Sequence, residues 1–449
     1  MKLVKKLRKG FTLIELVVVI AVIAILSAVA VVSYISITNK AKRSSDEQAV
    51  AQMNTILKAN EVMELRSIKD VFAAFAESGL DAKNYKPLAK DTYFFWDQDN
   101  NRIIYVDKNY TVLYPAELKG NTKTDDSHWF SLSGEIQQRD YASDVSGNTY
   151  NFSGNATQAG EKLYKLSEDL SSGKVSFNTT EEQTITLPAK VDLAGSEFNL
   201  GVVQNLTIEG ASAQNPTEID NFFTSEYQSL GSQENRKTRA YCAGLVQKVE
   251  KGTVTFRNLS FKNTTIGDYS ISMTAIFAGQ ITGGKIVIEN CVIEDANIYG
   301  EQKVSAFVAH VSGGTVEIKN CTLKNVRLYA EEGCVAGLTG LKSSSATLHV
   351  DESTLNSVQN NVTSALTKVG DRSYFNAPVT LTDGSNEVAS TFESYASRKG
   401  ETVDGRTRCK PSCATFGWVQ GDTLKPDGAT YAVSYGLNPI HLNDVKHVF

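Results

Sequence analysis

Gly252-Thr-Val-Thr-Phe-Arg-Asn258 recurs as Gly284-Lys-Ile-Val-Ile-Glu-Asn290, Gly314-Thr-Val-Glu-Ile-Lys-Asn320 and Ala346-Thr-Leu-His-Val-Asp-Glu352, at offsets of 32, 30 and 32 residues. A period near 30 marks a stacked solenoid, in which each unit buries its apolar face only against its neighbours. Within the units the apolar positions alternate: Val254 and Phe256, Ile286 and Ile288, Val316 and Ile318, Leu348 and Val350. Further along, Phe261, Ile293, Leu323 and Leu355 align, as do Ile266, Ile298 and Leu328, and a small-apolar strand precedes each unit (Gly244-Leu245-Val246, Ile276-Phe277-Ala278, Ala306-Phe307-Val308, Gly337-Leu338-Thr339). Three short strands per coil with no helical period between them predict a right-handed parallel β-helix, placed at 161–375.

Asn258, Asn290 and Asn320 share one register, where Asn takes left-handed torsions and bonds its stacked neighbours, so they read as a corner ladder. Two outward rows alternate in charge, Arg257, Glu289, Lys319, Asp351 and Lys262, Glu294, Lys324. With stacked strands about 4.8 Å apart, such rows fix register and leave no free pair of carboxylates for acid–base work. Other parallel β-helices include polysaccharide lyases and glycosidases, which keeps a carbohydrate-active enzyme as the rival reading on fold analogy alone.

Cys291 and Cys321 follow the ladder Asn in successive coils and read as buried thiols or a bridge, while Cys242 and Cys334 share another register three coils apart. Cys409 and Cys413 are the candidate surface disulfide. His128, His310, His349, His441 and His447 are isolated from ligand-spaced partners, so no metal and no cofactor is expected. Between the early coil at Leu206-Thr-Ile208 and the coil with Cys242, an insertion of about 211–240 carries Phe222, Phe223, Tyr227, Arg236, Lys237 and Arg239, the candidate binding loop.

Upstream, Ala156 to Leu170 is an amphipathic helix expected to cap the open end of the solenoid, after a Ser/Asn/Asp/Gly-rich stretch read with it as linker and cap, 121–160. Tyr93-Phe94-Phe95-Trp96, Ile103-Ile104-Tyr105-Val106 and Val112-Leu113-Tyr114 form a predicted β-meander within 66–120. Asp97, Asp99 and Asn101 in its first turn alternate as in a calcium loop, but Arg102 and Lys108 stand where Gly and a carboxylate are required, so a polar hairpin turn is the reading. Ala49, Met53, Ile56, Leu57, Val62 and Leu65 keep helical spacing, extending a helix that starts at Phe11 to residue 65.

Phe11 to Ile37 contains one ionisable side chain, Glu15, in a run long enough to cross a bilayer core of about 30 Å, and Lys2, Lys5, Lys6, Arg8 and Lys9 precede it. A lone carboxylate there costs about 2.5–3.5 kcal/mol on insertion scales and needs a partner. Gly10-Phe11-Thr12-Leu13-Ile14-Glu15-Leu16 behind this basic leader resembles the class III leader of type IV prepilins and pseudopilins. The resemblance implies cleavage after Gly10 by a prepilin peptidase, methylation of the new Phe11 amine, and Glu15-guided docking on neighbouring pilin subunits. It also implies a pilin-like α+β head on the long helix, with residence in the cytoplasmic membrane before assembly into an extracellular pilus. No Pro occurs before Pro87 and no Gly between Gly10 and Gly79, so the helix lacks the breaker many pilin helices carry.

The chain of 449 residues is far longer than a minimal pilin, which leaves room for a displayed domain; its final segment, 376–449, reads as a cap or adhesive region. A formal charge of −5 falls to −10 once the five leader cations are set aside, which argues against nucleic acid as partner. The expected class is mainly β with a long N-terminal α-helix. The expected role is a minor pilin-like subunit displaying the β-helix for adhesion to glycans or other surfaces, with a carbohydrate-active enzyme or a pseudopilin of a secretion or DNA-uptake system as alternatives.

Overall fold

The computed structural model describes residues 13–59, 68–81, 85–224, 242–267, 271–330, 334–343 and 345–369, with a few short strands beyond; side chains at 13–15, 24–33 and after 361 lie outside the description. Helix α1 (Leu13–Ala59) is continuous over 47 residues, in keeping with the absence of Gly and Pro. Its early described side chains, including Leu16, Ile20 and Ile23, are exposed apolar surface. Among the described residues no helix is long and apolar enough to cross a membrane, and part of the 11–37 run lies outside them.

The outer part of α1 turns Val50, Met53 and Leu57 into the head core. Asn54 pins it to the sheet by a two-way bond, donating to Ile103 O at 2.9 Å and accepting from Ile103 N at 2.7 Å. A second helix, α2 (Ile68–Glu77), was not anticipated within 66–120; its Ile68, Val71, Phe72 and Phe75 recur at helical spacing and are buried in the same core.

The meander is present as β1 (Thr92–Asp97), β2 (Arg102–Asp107) and β3 (Val112–Tyr114), antiparallel throughout. The stretch read as linker contributes a fourth strand, β4 (Trp129–Ser131), on the other side of β1. Its Ser and Asp content is spent on turns, whereas Trp129 and Phe130 are buried. Residues 121–160 therefore join head to solenoid as ordered structure: β5 (Val145–Ser146) and β6 (Thr149–Asn151) pair with each other, and β6 pairs in parallel with the first long solenoid strand.

Helix α3 (Ala156–Ser171) begins at a capping box between Asn155 and Gln158. It turns Ala159, Leu163 and Leu166 into the solenoid core, while Tyr164 joins a cluster with Phe95, Ile104 and Val106 of the head sheet. One helix thus closes the solenoid end and seats the head.

The C-terminal region is a β-solenoid of about five turns over 149–350. The first turns use β7 (Asn178–Thr186), β8 (Lys190–Asp192), β9 (Val202–Glu209), β10 (Thr217–Asp220), β11 (Phe223–Thr224) and β12 (Cys242–Ala243). Two full coils follow: β13 (Val246–Val249), β14 (Thr253–Arg257), β15 (Leu259–Lys262), β16 (Thr265–Ile266) and β17 (Met273–Thr274), then β18 (Ala278–Ile281), β19 (Lys285–Glu289), β20 (Val292–Glu294), β21 (Asn297–Gly300) and β22 (Lys303–Ser305). The next coil runs β23 (Val308–Val311), β24 (Thr315–Lys319), β25 (Thr322–Lys324), β26 (Val326–Ala330) and β27 (Cys334–Ala336), and the last opens with β28 (Leu341–Ser343) and β29 (Thr347–Val350). Each coil therefore folds as five short parallel segments rather than three, because left-handed residues such as Asn258 (φ 59°) and Asn263 (φ 46°) break the path at corners the hydrophobic pattern does not mark.

The register matches the repeat: Val254, Ile286, Val316 and Leu348 stack in one inward row, and Phe256, Ile288, Ile318 and Val350 in the next. Every one of these side chains is buried, each contributing about 1.5–3 kcal/mol. Gly284 has φ 77° and a Cβ there would sit 2.4 Å from Gly252 O, so the repeat's leading glycine allows coils to stack at that turn.

The alignment fails at Leu355, which lies in helix α4 (Glu352–Asn361) and not in a fourth strand. Asp351 accepts from Thr354 N at 3.0 Å and from Asn320 N at 2.8 Å, capping the helix instead of extending the charge row. Thr354 Oγ1 then accepts from Cys321 N (2.9 Å) and Ser357 Oγ from Leu323 N (2.7 Å), so helix side chains cover the last strand edge of that sheet. Strand β30 (Val362–Val369) pairs with β26. Most of 376–449, with Cys409 and Cys413, lies outside the described residues.

Candidate functional site

Two places bear on function, the N-terminal motif and the junction where the head meets the solenoid. Gly10 and Phe11 lie outside the described residues; Glu15 falls in the first turns of α1, with its side chain outside the description.

At the junction, Ser131 N donates to Ala194 O (2.8 Å) and Glu197 N to Gly134 O (2.9 Å), joining β4 and its following turn to the chain after β8. Gly195, at φ 65°, permits this approach, since a Cβ there would meet Phe130 Cα at 2.8 Å. Asn263 Nδ2 donates to Gln98 Oε1 at 2.8 Å, tying the first head turn to a solenoid corner.

A polar groove of about 660 Å³ opens beside these contacts. Gln98, Asp99, Asp126 and His128 line its head side; Lys190, Glu218, Asp220 and Lys262 are among those on the solenoid side. Glu218 is held by Lys190 at 2.9 Å and by Lys262. Burial pushes its carboxyl up, but the hydrogen bonds from Lys262 and Lys190 outweigh that and hold it below the usual range. Asp220 differs: burial raises its carboxyl, against the pull of His128 and Lys190. His128 is not isolated, as its Nδ1 lies 2.7 Å from Asp99 Oδ1. The register also sets His349 against Glu317. His310 faces Gln280 Nε2 at 3.3 Å, and burial lowers its imidazole to about 4.

The turn of Asp97, Asp99 and Asn101 is a hairpin turn, closed by Asn100 N and Nδ2 donating to Asp97 and by Trp96 Nε1 donating to Asn101 Oδ1. Among the described residues no group of His, Cys, Asp or Glu is placed to hold a metal ion.

The binding-loop expectation needs correction. Phe222 is fully buried, packed against Phe198 and Phe261 at ring distances of 6.2 and 5.8 Å. It is a core rung of the solenoid because strand β10 continues the coil through what read as an insertion. Phe223 falls in β11, paired with Thr265; Tyr227, Arg236, Lys237 and Arg239 lie outside the described residues. Cys242, Cys291 and Cys321 are free, so no Cys291–Cys321 bridge exists.

The Asn ladder is present, Asn290 Nδ2 donating to Asn258 Oδ1 at 3.3 Å and Asn320 Nδ2 to Asn290 Oδ1 at 2.6 Å. A second corner ladder, Asn221–Asn263 and Asp295–Asn325, was missed. Its signal was in the sequence, one residue after the Lys262/Glu294/Lys324 row, but Asp at one rung broke the pattern.

Residues 5–31 match the family described as the prokaryotic N-terminal methylation motif. No curated protein and no solved structure matches the chain. The motif implies processing by a prepilin peptidase and assembly with other pilin subunits. The chain thus carries the class III leader of type IV prepilins and pseudopilins, joined to a β-solenoid.

Proposed function

We propose that this protein is a non-catalytic, type IV pilus subunit of the minor kind, cleaved after Gly10, methylated at Phe11, and displaying its solenoid for contact with glycans or other surfaces. The observation that carries this reading is the methylation motif at 5–31, whose later part lies in α1. The exposed apolar side chains of α1 support it, since a row left uncovered by the described residues is suited to lipid before assembly and to sibling helices after it. On this reading the terminal amine of an adjoining subunit neutralises Glu15.

The junction groove, rich in donors and acceptors, is the surface suited to a hydroxyl-rich ligand. Its carboxylates support binding over hydrolysis, because Glu218 and Glu294 are tied to lysines, the latter to Lys324 at 3.4 Å. Asp220, raised by burial, is the feature among the described residues that favours the alternative of a tethered carbohydrate-active enzyme.

Glu15→Ala is the test of the first reading: export continues and incorporation into filaments is lost. Normal incorporation would overturn it. A polysaccharide panel incubated with the soluble part from about residue 40 onward separates the two readings, reproducible oligosaccharide release favouring the enzyme.

A further inference from the structure

Lys123 leaves the head between β3 and β4 and reaches Asp192 at the end of β8. Its Nζ lies against Asp192 Oδ2, and both side chains are 2 % exposed. The two oxygens of Asp192 are in unlike settings. Oδ1 accepts from Ala194 N and from Asn221 Nδ2, each at 2.8 Å. Oδ2 and Lys123 Nζ face each other and have no further hydrogen-bond partner among the described residues.

Water is excluded from this contact, and a dry site disfavours separated charges, so the pair is driven toward neutral amine and neutral acid. Burial pushes the Lys123 amine down to about 7, against the pull of Asp220 and Asp125. A third group stands beside it. Glu161 is itself 2 % exposed and shares a cavity of about 250 Å³ with Lys123. Burial raises its carboxyl, although Arg139 Nε donates to it at 2.7 Å and the Tyr110 hydroxyl also bonds it. Gly160, next to it in the chain, lets the helix itself approach: a Cβ there would come within 1.8 Å of Asp192 O, so α3 touches the Asp192 backbone directly.

We propose that Lys123 and Asp192 condense to an isopeptide bond, with Glu161 carrying the protons. The neutral amine attacks Asp192 Cγ while Ala194 N and Asn221 Nδ2 hold the charge that develops on Oδ1, as an oxyanion hole does. Glu161 accepts the proton leaving Nζ and returns one to Oδ2. The Nζ–Cγ bond forms, the Cγ–Oδ2 bond breaks, and one water departs; nothing is oxidised or reduced. The amide retains Oδ1 with both donors and leaves no titratable pair in the dry site.

The test is intact-mass measurement of the purified, denatured full chain together with a tryptic map. The expected mass is that of the sequence, or of its processed form, less one water, and the map contains a branched peptide joining the segments of Lys123 and Asp192. Full mass with linear peptides for both segments would overturn the proposal, and this readout on the unaltered chain needs no variant to fold. E161Q, checked by circular dichroism for retained structure, is expected to leave most chains unlinked; complete linkage in E161Q would overturn the role given to Glu161. Loss of water without the branched peptide counts against the bond.

Discussion

Asn320 donates its side-chain amide to Asn290 Oδ1 at 2.6 Å, and both residues sit at positive φ, 51° and 53°. The same side chain thus supports a left-handed corner and links it to the next coil.

Asn290→Ala loses both rungs and places an ordinary side chain at φ 53°. The expected cost is about 2–4 kcal/mol, from a left-handed penalty of about 1–2 and two modest hydrogen bonds. Asn290→Gly keeps the corner and recovers about half. Urea denaturation of the three proteins checks this; equal losses in Ala and Gly would show that the backbone term is absent.

Phe222→Ala is expected to cost about 3–5 kcal/mol because it empties a packed core position. A small change in melting temperature with impaired surface binding would instead return Phe222 to the binding loop.

Gly160→Ala puts a methyl into the carbonyl of Asp192, so α3 must retreat at a cost of about 2–4 kcal/mol. Limited proteolysis should then cut between the head and the first coil; an unchanged pattern would place the clash elsewhere.

The acid limb of stability has a defined sign. Burial raises Asp144 and Asp169, but hydrogen bonds from Lys162 and Ser153, and from Lys165, Lys174 and Tyr141, outweigh it and hold both below the usual carboxylate range. Depressed carboxylates stabilise above the unfolded-state value and lose that contribution as pH falls through their folded values. Asp97 and Asp220 are raised by burial, so protonating them favours the fold. Thermal stability is therefore expected to fall below about pH 4, while between neutral pH and that point the gain from Asp97 and Asp220 is opposed by His310, whose imidazole, lowered to about 4 by burial, favours unfolding as pH drops below its ordinary value. Asp144→Asn should flatten that fall, as read by thermal melts across pH; an unchanged acid limb would contradict the assignment of Asp144.

Cys291 and Cys321 are buried and free, and burial pushes the Cys321 thiol well above its ordinary value. Both should resist maleimide in the native protein and react on unfolding, as read by peptide mapping. Labelling at native rates comparable to a free thiol would mean that this part of the solenoid opens readily.

The stacking register was legible because Val254, Ile286 and Val316 repeat at one spacing and each must face the same interior. The meander was legible for a similar reason, as Phe94 and Tyr105 alternate with their neighbours in a short run. What escaped was structure that hydrophobic period does not encode. Strand β4 has only three residues amid turn-formers. Asp351 reads as a charge in a row until its bond to Thr354 N makes it a helix cap. The groove joins Asp99 to Asp220 and Lys190, residues far apart in sequence that only the docking of head on solenoid brings together.

Tyr164 rests on the head sheet while Leu163 and Leu166, on the other flank of the same helix, enter the first coil. A pull applied at the distal tip of the solenoid would therefore be transmitted through this shared bracket into the head and onward to α1, with no slack hinge between Trp129 and Ala194 to absorb it. Folding of α3 thereby fixes the solenoid to the head at this bracket.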